Sequence, residues 1–260
     1  MTAEPARLIT IGVSHYCEKA RWALDLAGLG YREEMHLPVF QIPAAWRRGG
    51  KRTVPVLLTG DKVLTESSEI VELAEAAQPG LLFPDDEAEA GAVRAWMARF
   101  DKDLGPAARR IAYFHMLPER ARTIELLTAD PSSSEPFHER ALMAIGFPLA
   151  RGLMRRALKI DRAGYERSVA KARDSFDAVG EALGADGRYL VGDRFTAADL
   201  SFAALATPLI VPEGFPWAWP TIESLPEPMQ DELRRWREHP AGVFVQRLYR
   251  EHRPALCRVP

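Results

Sequence analysis

Strand and helix signals alternate over the first eighty residues, and then the strands stop. This asymmetry restricts the fold more than any single motif. "ARLITIG" (6–12) alternates apolar side chains as a strand does, and "CEKARWALDLAG" (17–28) reads as a helix closed by Gly28. "YREEMHL" (31–37) reads as a second strand, and "QIPAAWRRGGKR" (41–52) as a short helical or irregular segment. "VPVLLTGDKVLTES" (54–67) predicts a hairpin turning at Gly60-Asp61. "SEIVELAEAA" (68–77) predicts a helix with Ile70, Leu73, Ala74 and Ala77 on one face. The order β-α-β, link, β-β-α implies a mixed sheet backed by helices.

"QPGLLFPDDE" (78–87) has the Pro, Gly and Asp content of a linker, and the segments beyond it read as helices. The chain is therefore expected to divide near residue 82, with an α/β domain over 1–82 and an all-α domain over 83–260. "MQDELRRWREHPAGVFVQRLYREH" (229–252) reads as one helical stretch. "ADPSSSEP" (129–136) reads as a mobile loop. In "RFTAADLSFAAL" (194–205), Thr196 fits a helix N-cap and Asp199 can reach back to the cap N–H; this reads as folding chemistry. Arg151, Arg155, Lys159 and Arg162 read as a solvated face opposite an apolar one of Leu142, Ile145, Leu149 and Leu153.

Composition excludes several classes of function. A formal charge of −2 lacks the strongly basic footprint of a nucleic-acid binder. Two cysteines, Cys17 and Cys257, cannot build a disulfide framework, so a reducing, cytoplasmic setting is expected. "MTAEPARLIT" lacks a signal-peptide pattern, and no run of 18 apolar residues predicts a membrane span. The six histidines show no metal-ligand spacing, so no metal site is expected. "GLGYRE" has Glu33 where a dinucleotide fingerprint needs its third Gly, and "GVSHY" lacks the last Gly of a nucleophile elbow.

Three short stretches carry possible chemistry, each beside a structural reading. Ser14 stands before the first helix and Cys17 within its first turn. Ser14 is either a simple N-cap or a hydroxyl donor to a bound anion, at a helix end that favours negative charge. Cys17 is either a small buried residue or, if exposed, a reactive thiol. In Val54-Pro55 the proline is either an edge feature or a cis-proline that turns the Val54 backbone outward for an extended peptide. Glu66 and Ser67 open a helix, as a cap or as partners for a ligand's ammonium and carboxylate.

The order Ser-x-x-Cys, Val-Pro, Glu-Ser, linker and Thr-x-x-Asp resembles the cytosolic glutathione transferase family, a thioredoxin-like domain followed by a helical bundle. The resemblance is good over residues 7 to about 110 and over "RYLVGDRFTAADLSFAAL", and poor near 117–165 and 211–228, which look like added segments. It implies that Ser14 activates the glutathione thiol, as in serine-type members. It further implies that Val54 pairs with the cysteine of glutathione beside a cis Pro55, and that Glu66 and Ser67 hold the γ-glutamyl end. Lys51, with Arg52 as its rival, would meet the glycine carboxylate. Cys17 matches the second cysteine of a glutaredoxin-like Cys-x-x-Cys whose first position is Ser14. The implied reaction is thiolate attack on a small hydrophobic electrophile near Tyr113, Phe114 and Met116, in a homodimer. The alternatives are a non-catalytic binding or scaffold protein of the same family, and glutathione-dependent thiol exchange through Cys17.

Overall fold

The computed structural model describes residues 5–128, 137–184, 187–217 and 221–258. The "ADPSSSEP" segment lies outside the described residues. Strand β1 (Ala6–Thr10) pairs in parallel with β2 (Tyr31–Met35) and antiparallel with β3 (Val56–Thr59), and β4 (Lys62–Leu64) follows β3. The sheet order is β2-β1-β3-β4. The parallel pair needs a crossover, supplied by α1 (His15–Leu26). Strands β3 and β4 pair antiparallel and need only the Gly60-Asp61 loop, where Gly60 takes a φ of +53°.

Alternation along β1 sends its side chains to two covered faces. Leu8 packs with Ala20 and Leu24 of α1 and with Ile70 of α3 (Ser67–Ala77). Ile9 points the other way, onto Val56 and onto Ala44 and Ala45 of α2 (Gln41–Trp46). The fold is a thioredoxin-like α/β unit followed by helices.

Helix α4 (Glu87–Arg99) continues through a π turn at Phe100–Leu104 into α5 (Gly105–Met116). Then come α6 (Arg120–Leu127), α7 (Phe137–Ala157), α8 (Arg162–Leu183), α9 (Ala197–Ile210), α10 (Glu227–Glu238) and α11 (Pro240–His252). Every residue of α9 is buried, and α1 and α5 both pack against it. The Thr196–Asp199 capping box starts it, with the Thr196 N–H donating to Asp199 at 2.8 Å. The 229–252 stretch is two helices, because Pro240 has no N–H to continue the first and opens the second. The segment after α11 returns to α1: Arg253 pairs with Glu18 at 2.6 Å and Asp25 at 2.9 Å.

One face of α7 departs from expectation. Leu142, Ile145, Leu149 and Leu153 are exposed, by 80% at Ile145, while Met143, Phe147 and Met154 face inward. The inward stripe packs on Leu37, Leu117, Leu127 and Ile160. The sequence has two apolar stripes on α7, and the methionine and phenylalanine stripe is the one the fold covers.

Candidate active site

Ser14 has extended backbone (φ −75°, ψ 119°) and caps α1, its Oγ accepting the Cys17 N–H at 3.4 Å. An N-cap serine spends an oxygen lone pair on the helix and keeps its O–H. The Ser14 side chain lines a cavity of about 500 Å³, and its hydroxyl is also within hydrogen-bonding reach of the Cys17 thiol, whose ionisation it favours. Val54 lines the same cavity, and the Val54–Pro55 bond is cis. Arg52 also lines it and lies over the Trp46 ring, 5.2 Å from its centroid, while Gln41 donates to the Arg52 carbonyl at 3.3 Å.

The two neighbours of Ser14 at the head of α1 are committed elsewhere. Tyr16 donates its hydroxyl to the Asp101 carbonyl at 2.8 Å, and burial raises its pKa far above the ordinary range. Burial, then the charge of Arg109, pushes the His15 pKa down to about 3, so the ring is neutral and its Nε2–H donates to the Gly105 carbonyl at 2.9 Å. Neither residue competes with Ser14 as a donor to an anion in the cavity.

Lys51, Glu66, Ser67, Pro55 and Cys17 do not line the cavity. Lys51 and Glu66 pair with each other at 2.7 Å at an exposed site. Glu66 caps α3, close enough to Tyr16 for its charge to raise that hydroxyl's pKa, and Ser67 begins the helix in a buried position. Ser68, which sequence reasoning passed over, ties α3 to α1: it accepts from the buried Lys19 at 2.8 Å and donates to Asp101 at 2.6 Å. Cys17 is fully buried, and burial raises its thiol pKa against the opposing effects of Arg21 and Ser14. A thiol so placed is neither accessible nor readily ionised.

The far wall of the cavity comes from the helices. Tyr113 and Met116 of α5 line it, whereas Phe114 turns away to stack on Tyr165 with centroids 4.3 Å apart. Of the two segments that looked added in the sequence, 117–165 contributes to this wall and 211–228 braces it from behind. Leu126 of α6 and Leu153 and Met154 of α7 line the cavity. Trp217, from the 211–228 segment, donates its Nε1–H to the Leu126 carbonyl at 3.0 Å and lies against Gly12, two residues before Ser14. Arg109 of α5 lines the cavity as well. It was missed because an arginine on a helix reads by default as a solvated residue.

An α/β unit with a donor at the head of α1, a cis-proline beside β3 and a helical wall over the cavity defines a glutathione-transferase-like architecture. The glutathione S-transferase N-terminal domain family matches residues 8–81, and the glutathione S-transferase C-terminal domain family matches residues 162–239, together more than half of the chain. The chain belongs to the glutathione transferase family. Solved structures of similar fold include the β-etherase LigF from Sphingobium sp. strain SYK-6, at 22% identity over 92% of this chain and 98% of that one (TM-score 0.59). A glutathione transferase from Phanerochaete chrysosporium shares 19% identity over 96% and 97% (TM-score 0.61). A glutathione S-transferase from Methylobacillus flagellatus KT, solved with glutathione bound, shares 16% over 96% and 100% (TM-score 0.58). Comparison with curated proteins returns no match. Among the described residues, no cluster of His, Cys, Asp and Glu is placed to hold a metal ion, and no helix is long and apolar enough to cross a membrane.

Proposed function

We propose that this protein is a glutathione transferase in which Ser14 stabilises the glutathione thiolate for attack on a small hydrophobic electrophile. The observation that carries this reading is one cavity holding the Ser14 hydroxyl, Val54 and the largely apolar helical wall with Tyr113 and Met116. Its volume of about 500 Å³ lies within the range of small-molecule sites, roughly 300–1,000 Å³. Residues 1–82 bind glutathione in this reading, and 83–260 hold the electrophile. Val54 pairs with the tripeptide backbone beside Pro55, and Glu66 and Ser67 take the γ-glutamyl end. Either Arg52, in the cavity, or Lys51, released from Glu66, meets the glycine carboxylate. Cys17 supports the head of α1 from within.

The energetics suit a donor role. A free thiol has a pKa of about 8.5 and is mostly protonated at neutral pH. Lowering it by two units takes ~2.7 kcal/mol of differential stabilisation. A hydrogen bond to a charged group contributes ~1.5–3 kcal/mol, and the helix dipole ~0.3–1 kcal/mol. The thiol proton leaves for solvent, and the sulfur lone pair then forms the C–S bond as the leaving group departs. The test is thiolate absorbance of the glutathione complex in wild type and Ser14→Ala. Thiolate below pH 7.5 in wild type, lost in the variant, supports the reading; no thiolate in either defeats it. The homodimer implied by family resemblance is checked by light scattering. Thiol exchange through Cys17 is disfavoured by its burial.

A further inference from the structure

The cavity wall carries cations and no carboxylate. Its charged lining residues are Arg52 and Arg109, and neither Asp nor Glu contributes to it. Arg52 sits on the same loop as Val54, where the glutathione backbone is placed. Arg109 stands on the other wall, on the α5 face that also presents Ala112, Tyr113 and Met116. Among the described residues it makes no ion pair and no side-chain hydrogen bond. Its neighbour Arg110 is fully occupied by contrast, donating to the Leu158 carbonyl at 2.8 Å and to Ser168 at 2.5 Å. The charge of Arg109 reaches three neighbours: it adds to the burial that lowers the His15 pKa and opposes the burial that raises those of Tyr16 and Tyr113. It therefore lies between the head of α1 and the apolar chamber.

Arg109 is half-buried, so its guanidinium is partly withdrawn from water with no internal counter-charge to offset it. Its planar fork matches a carboxylate in two parallel hydrogen bonds. We infer that Arg109 is an anion-recognition residue for the electrophile, and that the favoured substrates are apolar molecules bearing one carboxylate or similar oxyanion. The inference rests on the glutathione reading above and narrows its substrate class. A neutral hydrophobic electrophile would leave Arg109 unpaired in the filled cavity, whereas an anionic one would neutralise it.

The experiment uses two electrophiles of similar reactivity, 4-chloro-3-nitrobenzoate and its carboxamide. In both, glutathione sulfur bonds to the ring carbon, the C–Cl bond breaks and chloride leaves. The two conjugates are then titrated calorimetrically into the full-length protein, alongside glutathione itself, so that the readout does not depend on turnover. The carboxylate conjugate is expected to bind wild type at least ten-fold more tightly than the carboxamide. Arg109→Met should narrow that ratio at least ten-fold, with Arg109→Lys in between. Equal binding of the two conjugates by wild type, with glutathione still bound, overturns the anion subsite and leaves the glutathione reading standing. A ratio that survives Arg109→Met also overturns it. No binding of glutathione or of either conjugate overturns both readings. Should Arg109→Met fail to fold, Arg109→Gln takes its place and is read by the same ratio.

Discussion

His36, just beyond β2, lies 2.7 Å from Glu139 at the start of α7, and the second oxygen of Glu139 accepts the Leu37 N–H at 2.9 Å. This contact holds a wall of the cavity to the α/β domain, because the same helix carries Leu153 and Met154. Burial by itself would lower the His36 pKa. The hydrogen bond and charge of Glu139, aided by Glu34, outweigh it and leave the pKa raised above 6.5. A raised pKa means the folded state holds the proton more tightly than the unfolded chain. The stabilisation is then complete below about pH 6.5 and is lost as pH rises through the higher folded value. Glu139→Ala should lower stability by roughly 3–5 kcal/mol, as breaking a buried pair does, and should remove that dependence. Thermal melts of wild type and variant across pH 5.5–8.5 check both parts.

Gly12 and Trp217 make a second such contact. A Cβ at position 12 would lie 2.0 Å from the Trp217 ring, which is buried and held by its bond to Leu126. Gly12→Ala must therefore displace the indole, at the ~1–3 kcal/mol typical of overpacking. The expected readout is a red-shifted tryptophan emission that is absent from Gly12→Ala in a Trp217→Phe background. Displacing Trp217, which braces Leu126 in the cavity wall, should also weaken glutathione retention.

How much of this was legible in the sequence depended on how local the physics was. Ser14 and the Thr196–Asp199 box were readable because a cap is decided by residues three apart. The hairpin at Gly60-Asp61 was readable because its loop length and residue type fix the turn. Val54-Pro55 was visible as a dipeptide but not as an isomer, since only about 5–6% of such bonds are cis and tertiary context selects them. Tyr113 and Met116 were named together with Phe114, and only the packing of α5 sends Phe114 toward Tyr165 instead of the cavity. Arg109, Leu126 and Trp217 were not legible, because each belongs to the site through partners far away in the chain. The apparent insertion at 117–165 became a cavity wall, and that at 211–228 its brace, for the same reason.

Asp199 gives a prediction from the legible part. Its carboxylate accepts the Leu190 N–H at 2.9 Å and the Thr196 N–H at 2.8 Å, all three residues lying in the buried core or at its margin. Asp199→Ala strands two backbone donors, each costing about 1–3 kcal/mol. At ~2–4 °C per kcal/mol for a chain of this size, the melting temperature should fall by several degrees or more. Thr196→Ala removes the acceptor for the Ala198 N–H at 3.3 Å and the hydroxyl that donates to Asp199 at 3.0 Å, leaves the Asp199 carboxylate in place, and should cost less, about 1 kcal/mol.

The double stripe on α7 yields the sharpest contrast within one helix. Ile145 and Leu149 are 80% and 71% exposed, so they have little burial to lose. Ile145→Glu and Leu149→Gln are expected to change stability by no more than ~0.5 kcal/mol, the usual range for exposed positions. Phe147 is 2% exposed and packs among the residues that fix α7 over the cavity. Phe147→Ala should therefore cost about 3–5 kcal/mol. Urea melts of the three variants separate the two faces. Had the leucine stripe been the inward one, Leu149→Gln would be the damaging substitution and Phe147→Ala the tolerated one, so the ranking of their midpoints decides which side of α7 the fold covers.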